Sequence, residues 1–375
     1  MFLSKPVMGW NSWNTFTKDI NEQLIMDTAD ALVSTGLRDA GYVYLTIDDC
    51  WSEKKRDRKG MLVASKEKFP HGMKYVADYV HSKGLKFGMY SDSGFMTCAG
   101  YPGSFGHEFD DAEYFASVGA DLLKYDNCYH PSMSGMQRYN RMAMALKSTG
   151  RDIVFSACSW GTNGVFEWCR SAGVDMYRST GDITDTFESI KNLFLSQKEK
   201  IQHTGPGCYN DMDMLVTGLK GQGNIGFGKG CTDANYRYHF AAWCMCGCPL
   251  IIGADVRNIT KENLELLTNK YLLAIDQDIE CRPPIFIDDT TGHKDNVICF
   301  KHLHDGTYAV GFFNSYDSKL NMDLQFYEIG IDPLMGYSFE LTDVFTGKNI
   351  GKCKDAFTAT VNAGDCKVYI AKLVK

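Results

Sequence analysis

From Met8 to about Asp255 the chain alternates between short apolar runs of β character and longer stretches with helical spacing. The apolar runs begin near positions 8, 42, 85, 120, 152, 174, 207 and 249. In residues 21–40, Leu24, Asp27, Thr28, Ala31, Leu32 and Thr35 follow a 3.6-residue rhythm, and Gly36 and Gly41 punctuate its end. Residues 73–83 carry Val76, Tyr79 and Val80 on one face and stop at Gly84. Further helical stretches are predicted at 110–118, 136–148, 186–197 and 236–245. A last helix is predicted over 261–276, with Leu264, Leu267, Tyr271 and Leu272 facing inward. Eight β-runs joined by helical crossovers over about 250 residues predict a (β/α)8 barrel, assigned here to residues 1–282.

Several of these runs end in acid. Residues 42–47 lead into Asp48 and Asp49, 85–90 run on to Asp92, and 120–123 lead through Lys124 and Tyr125 to Asp126. Residues 174–177 reach Arg178 and Asp182, 208–210 reach Asp211 and Asp213, and 249–254 end in Asp255. An ionised group at the mouth of a buried strand is costly unless it is used. Barrel active sites lie at these same strand ends, so the pattern predicts one acidic site built from many strands.

After about Pro284 the helical rhythm stops. Short β-type runs at 285–287, 297–302, 308–314, 337–344 and 367–373 are separated by Gly, Asp and Asn turns. They predict a C-terminal antiparallel β-sandwich, residues 283–375, after a stiff junction at Arg282, Pro283 and Pro284. A doubly wound fold is the rival for the first part. Gly221, Gly223 and Gly226 do fit G-x-G-x-x-G, but they do not join a first strand to a helix, and they read as a flexible loop.

The net charge of −7 argues against nucleic acid as a partner. No apolar run is long enough for a membrane span. The first residues are too short and too weakly apolar for a secretory leader. The 14 cysteines mostly sit in apolar runs, as in Cys244, Cys246 and Cys248, and read as buried reduced thiols. The expected location is cytoplasmic; the alternative is a secreted protein whose leader is absent from this chain. Homo-oligomers are compatible with the sequence.

Clustered carboxylates at a barrel mouth suit two tasks: binding Mg²⁺ or Ca²⁺ through oxygen, and acid and nucleophile work on a glycosidic bond. The aromatics favour sugar. Trp10, Trp13, Trp51, Tyr90 and Trp160 fall at or just past strand ends, where a ring can pack on the C–H face of a pyranose. His107 and Glu108 lack the second histidine of H-E-x-x-H, and no G-x-S-x-G elbow occurs. His302 and His304 read as surface or turn residues. No cofactor and no metal site are expected.

The chain resembles the family 27 glycoside hydrolases, the α-galactosidase and α-N-acetylgalactosaminidase group. The matching blocks are Met8-Gly9-Trp10-Asn11-Ser12-Trp13, Ile47-Asp48-Asp49-Cys50-Trp51 and Lys68-Phe69-Pro70-His71-Gly72-Met73. They continue with Thr97-Cys98-Ala99-Gly100-Tyr101-Pro102-Gly103-Ser104, Lys124-Tyr125-Asp126-Asn127-Cys128, Arg178 with Gly181-Asp182-Ile183, and Asn210-Asp211-Met212-Asp213-Met214. Family order and spacing hold from residue 7 to about 260.

The resemblance implies an exo-acting, retaining hydrolase of terminal α-galactose on oligosaccharides or glycoconjugates. It implies Asp126 as nucleophile and Asp182 as general acid/base, with carboxyls about 5–5.5 Å apart. Asp48 and Asp49 match residues on the 4- and 6-hydroxyls, and Lys124 one on the 3- and 4-hydroxyls. Arg178 and Asp213 match residues near the 2-position and the acid/base. Trp13 and Tyr90 match pocket walls, and Cys98 and Cys128 match a disulfide. In physical terms, Lys124 shares a strand face with Asp126 and favours its ionised form, while Asp182 needs a setting that holds its proton.

Three departures from the family pattern matter, and the first bears on the sugar. Ser159, between Cys158 and Trp160, stands where many family galactosidases carry Glu, and Thr162 follows three residues on. Small residues there resemble the N-acetylgalactosaminidases, which place the 2-acetamido group at that point. Met212 replaces the usual proline, and Cys50 has no upstream cysteine to pair with. The expected substrate is still α-galactose, with α-N-acetylgalactosamine and then β-L-arabinopyranose as alternatives. A non-enzymatic sugar-binding protein and a metal-dependent hydrolase are the rivals from other classes.

Overall fold

A computed structural model describes residues 2–226, 228–288 and 295–375. Eight parallel strands line the first part: β1 (Met8–Asn11), β2 (Tyr44–Thr46), β3 (Lys86–Asp92), β4 (Leu122–Asp126), β5 (Val154–Ala157), β6 (Met176–Arg178), β7 (Tyr209–Asp211) and β8 (Leu250–Ile252). Their order is β7-β6-β5-β4-β3-β2-β1-β8. The ring closes just past β7. Leu215 N–H donates to Ile251 O at 2.7 Å and Gly253 N–H donates to Leu215 O at 2.9 Å. The alternation of β-runs and helical stretches thus gives the expected (β/α)8 barrel.

The crossover helices start where the sequence supplies caps. Asn21 accepts from Leu24 N–H ahead of Glu22–Ser34, and Thr232 forms a capping box with Asn235 ahead of Asp233–Cys246. Gly119 and Gly247 end two helices with positive φ, which glycine adopts without steric cost. The single helix expected over 261–276 is instead two, Lys261–Leu267 and Lys270–Asp276. Asn269 breaks it, because its side chain accepts from Tyr271 and Leu272 N–H and restarts the helix.

The second part is an antiparallel sandwich. Strands β9 (Ile285–Asp288), β10 (Val297–His302), β11 (Tyr308–Asn314), β13 (Ser338–Asp343), β14 (Asn349–Cys353) and β16 (Asp365–Val374) form one sheet. Strands β12 (Leu320–Gln325) and β15 (Ala356–Val361) form a facing pair. Strands β12, β14 and β15 were not anticipated. Their half-polar or exposed sequences, such as Asn349–Cys353 with Gly351, carry little apolar signal.

The barrel and the sandwich share one hydrophobic core. Val297, Cys299, Ala309, Phe313, Cys366 and Val368 belong to the same buried cluster as Trp243 and Met245 of the helix Asp233–Cys246. Alternate residues of β10, Ile298 and Phe300, turn the other way into a second core inside the sandwich. Polar ties cross the same junction. Arg237 pairs with Asp365 at 2.7 Å, Tyr238 Oη meets Ser315 Oγ at 2.9 Å, and His304 Nδ1 lies 2.8 Å from Asp278.

Candidate active site

The C-terminal strand ends open into a cavity of about 550 Å³. It is lined by Trp13 beyond β1, Asp48 and Asp49 beyond β2, and Tyr90 on β3. Lys124 and Asp126 enter from β4, Trp160 from beyond β5, Arg178 and Asp182 from β6 and its loop, and Asp213 from beyond β7. Seven charged side chains from four strand ends, β2, β4, β6 and β7, are thus brought together.

Lys124 does not pair with Asp126. Its ammonium lies 2.7 Å from Asp48 Oδ2, and the same oxygen accepts from Asn11 Nδ2 at 2.7 Å. Burial opposes the Lys124 charge, but Asp48 and Asp126 outweigh it and hold the ammonium above its usual range. Asp126 Oδ2 accepts from Tyr90 Oη at 3.1 Å and Oδ1 from Asn127 N–H at 3.0 Å. Burial dominates its titration and pushes the carboxyl up; Lys124, the Asn127 N–H and the Tyr90 hydroxyl pull it back. Asp49, also lifted by burial, accepts from the N–H of Cys50 and of Ala99.

Arg178 joins three oxygens on the opposite wall. Its Nη2 lies 2.6 Å from Asp213 Oδ2, 2.7 Å from Asp182 Oδ1 and 2.8 Å from Gly181 O. The Asp182 side chain is 77 % exposed, on the loop beyond β6. Asp213 is the enclosed one: burial raises its carboxyl although Arg178 opposes the shift. It also accepts from Ile183 N–H at 2.7 Å and Met214 N–H at 2.7 Å, and its φ of 89° is strained for a non-glycine residue.

Not every candidate reaches the cavity. Ser159 and Thr162 are not among its lining residues. Ser159 is buried and its hydroxyl has no partner among the described residues, while the Thr162 hydroxyl donates to Ser159 O at 2.7 Å. Their neighbours Cys158 and Trp160 line the wall instead. Asp255 is taken by Arg257 at 2.8 Å, outside the site. Trp10 and Trp51 are core residues; Trp10 donates to Ala254 O and Trp51 to Tyr90 O.

Cys98 and Cys128 form a disulfide. Asp92 lies behind it, fully buried, accepting from Gly94 and Cys128 N–H at 2.7 and 2.9 Å. Burial first, then Asp126, push its carboxyl up to about 8. Asp92, Asp126 and the two sulfurs lie within 4.8 Å of one another, but both sulfurs are spent in the disulfide. Asn11, Ile183 and Met214 stand in the motif blocks, and Cys158 beside Ser159, but carried no predicted role; Asn14 and Ile225 were not singled out either. The apolar residues carry no chemical signal of their own.

A closed parallel barrel with paired acids at its strand mouths, followed by a β-sandwich, defines a glycoside hydrolase. The chain belongs to the α-galactosidase A family: that family's pattern matches residues 5–278, and the α-galactosidase C-terminal β-sandwich pattern matches residues 294–371. The chain is similar to α-galactosidase 3 of Arabidopsis thaliana, with 41% identity over 97% of this chain and 81% of that protein. It is 46% identical to an α-galactosidase of Oryza sativa subsp. japonica, over 97% of this chain and 84% of that one. The crystal structure of α-galactosidase I from Mortierella vinacea superposes with a TM-score of 0.91 at 33% identity, covering 98% of this chain and 97% of that one.

Proposed function

We propose that this enzyme is an exo-acting, retaining α-galactosidase that removes terminal α-galactose from oligosaccharides or glycoconjugates. The observation that carries the proposal is the placement of Asp126 and Asp182 on two different walls of one cavity that also holds Asp48, Asp49 and Lys124. The relatives reported above are named α-galactosidases, and one similar structure, an α-galactosidase from Saccharomyces cerevisiae, was determined with raffinose.

In this reading Asp126 attacks the anomeric carbon while Asp182 gives its proton to the departing glycosidic oxygen. The C–O bond to the aglycone breaks, and a galactosyl ester on Asp126 forms. Asp182, now a carboxylate, takes a proton from water. The water oxygen attacks the anomeric carbon, the ester bond breaks, and galactose leaves with its original configuration. Tyr90 and the Asn127 N–H hold the Asp126 oxygens in place. Asp48, Asp49 and Lys124 bind the hydroxyls of the sugar through charge-assisted hydrogen bonds.

The N-acetylgalactosamine alternative rested on the small side chains of Ser159 and Thr162. Those two residues do not line the cavity, whereas the bulky Trp160 beside them does, which supports galactose. The test is turnover of nitrophenyl α-galactoside against nitrophenyl α-N-acetylgalactosaminide by the wild type and by Asp126→Ala. The galactoside is expected to be the better substrate, and Asp126→Ala to be inactive. No turnover of either substrate by the wild type would end the hydrolase reading, and an active Asp126→Ala would end the mechanism.

A further inference from the structure

The glycines at 221, 223 and 226 form the G-x-G-x-x-G pattern that no step above uses. The structure explains each of them by close packing. A Cβ on Gly223 would lie 2.4 Å from Asn14 O, and one on Gly226 would lie 2.3 Å from the Gly221 backbone. Gly221 and Gly223 also take positive φ, which disfavours any side chain. The segment therefore lies flat against the residues that follow β1, and Asn224 N–H donates to Asn14 O at 3.2 Å.

The neck of this loop is closed by one buried carboxylate. Asp185 is 1% exposed. It accepts from Gly221 N–H at 2.7 Å on the incoming strand of the loop and from Cys231 N–H at 3.2 Å on the outgoing one. Tyr236 Oη lies 3.0 and 3.1 Å from its two oxygens. Its own N–H donates to Ile225 O at 3.0 Å. Asp185 stands three residues past Asp182, so the loop is stitched to the segment that carries the acid/base. Ile225 then lines the cavity together with Trp13, Asn14, Asp182 and Ile183.

We propose that residues 221–226 are the aglycone wall of the site and that Ile225 is a specificity-determining residue, packing on the C–H face of the sugar unit that leaves. The proposal rests on the α-galactosidase reading. Its geometric basis is the bond between Asp185 and Ile225, which fixes the isoleucine on the side of the cavity where Asp182 meets the leaving oxygen. An apolar side chain there adds no hydrogen bond and no charge, so it selects for a leaving group with an apolar face to cover.

The test compares raffinose, which leaves a sugar, with α-galactosyl fluoride, which leaves a single atom. The ratio of kcat/KM for raffinose to kcat/KM for the fluoride is measured in the wild type, in Ile225→Ala and in Ile225→Asn. The asparagine variant keeps the bulk and removes the apolar surface, and melting curves check that each variant is folded. The ratio is expected to fall about fivefold in both variants, as the loss of a partly exposed apolar contact gives. A ratio within twofold of the wild type in both folded variants overturns the proposal. A wild type that turns over neither compound overturns the α-galactosidase reading itself, and the two failures are told apart by that control.

Discussion

Lys124 Nζ sits 2.7 Å from Asp48 Oδ2, so the cation two residues before Asp126 is bonded to a different strand from the one that carries it. Strand geometry puts Lys124 and Asp126 on one face, and the β2 end then supplies the nearer carboxylate. Lys124 thereby does two things: it ties the mouths of β2 and β4, and its field still favours the ionised form of Asp126.

Removing that field moves the pH profile in a defined direction. Asp126 is faced by Lys124, Asp48, Tyr90 and Asp92, and burial already raises its carboxyl. Lys124→Met raises it further, and a protonated Asp126 cannot attack. The acidic limb of kcat/KM is expected to move to higher pH by about one unit. Activity at pH 5 then falls more than activity at pH 8. A limb that stays in place would show that Lys124 acts on the sugar alone.

Asp126 and Asp182 are expected to respond differently to the leaving group. Asp126→Ala loses the bond-forming group and falls by about 10⁴-fold or more on every substrate. Asp182→Ala loses a proton donor, worth about 10²- to 10⁴-fold where the leaving group needs one. Raffinose kcat/KM is expected to fall by that amount, and dinitrophenyl α-galactoside by much less. Azide is expected to give a product of retained configuration from the activated substrate in Asp182→Ala, and one of inverted configuration in Asp126→Ala. Equal losses on both substrates would contradict the assignment of Asp182.

The disulfide is expected to matter for stability more than for chemistry. Cys98 and Cys128 are 30 residues apart, and closing such a loop restricts the unfolded chain by about 3–4 kcal/mol in the chain-entropy view. The double variant Cys98→Ser/Cys128→Ser is expected to lose stability of that order in urea denaturation. Asp92 still holds Gly94 and Cys128 N–H in that variant, so Asp126 keeps its seat. Complete loss of activity in a folded double variant would make the disulfide part of the catalytic geometry.

Phe313 tests the junction of the two parts. It is fully buried, with ring centroids 4.8 Å from Phe194 and 5.1 Å from Tyr238 of the barrel. Phe313→Ala is expected to destabilise by about 3–5 kcal/mol. Because the core is continuous, barrel and sandwich signals are expected to melt in one transition. Separate transitions in calorimetry would mean that the junction is weaker than its packing.

Much of this was legible from the sequence, for physical reasons that also mark where legibility ended. Buried parallel strands are apolar runs, and their acids must sit at open ends, so the sequence already places Asp48, Asp126 and Asp213 in one site. Which acid a cation meets depends on neighbouring strands in space, and Lys124 shows that limit. Asp182 was assigned by resemblance alone, and its exposure follows from loop geometry that no periodicity encodes. Ser159 and Thr162 were legible as residue types, but which residues past β5 face the cavity depends on the local backbone, where Trp160 and Gly161 take positive φ and Cys158 and Trp160 line the wall. Gly221, Gly223 and Gly226 were visible as a motif, yet their purpose is a packing contact with Asn14 that only the fold creates.

The helix Asp233–Cys246 buries residues on nearly every face, since the barrel lies on one side and strands β11 and β16 on the other. Expression of the barrel alone would uncover the sandwich-facing side of this helix, an apolar surface that invites aggregation. The catalytic half is therefore not a portable module: domain exchange in this enzyme has to move the helix and its β-sheet seat as one graft.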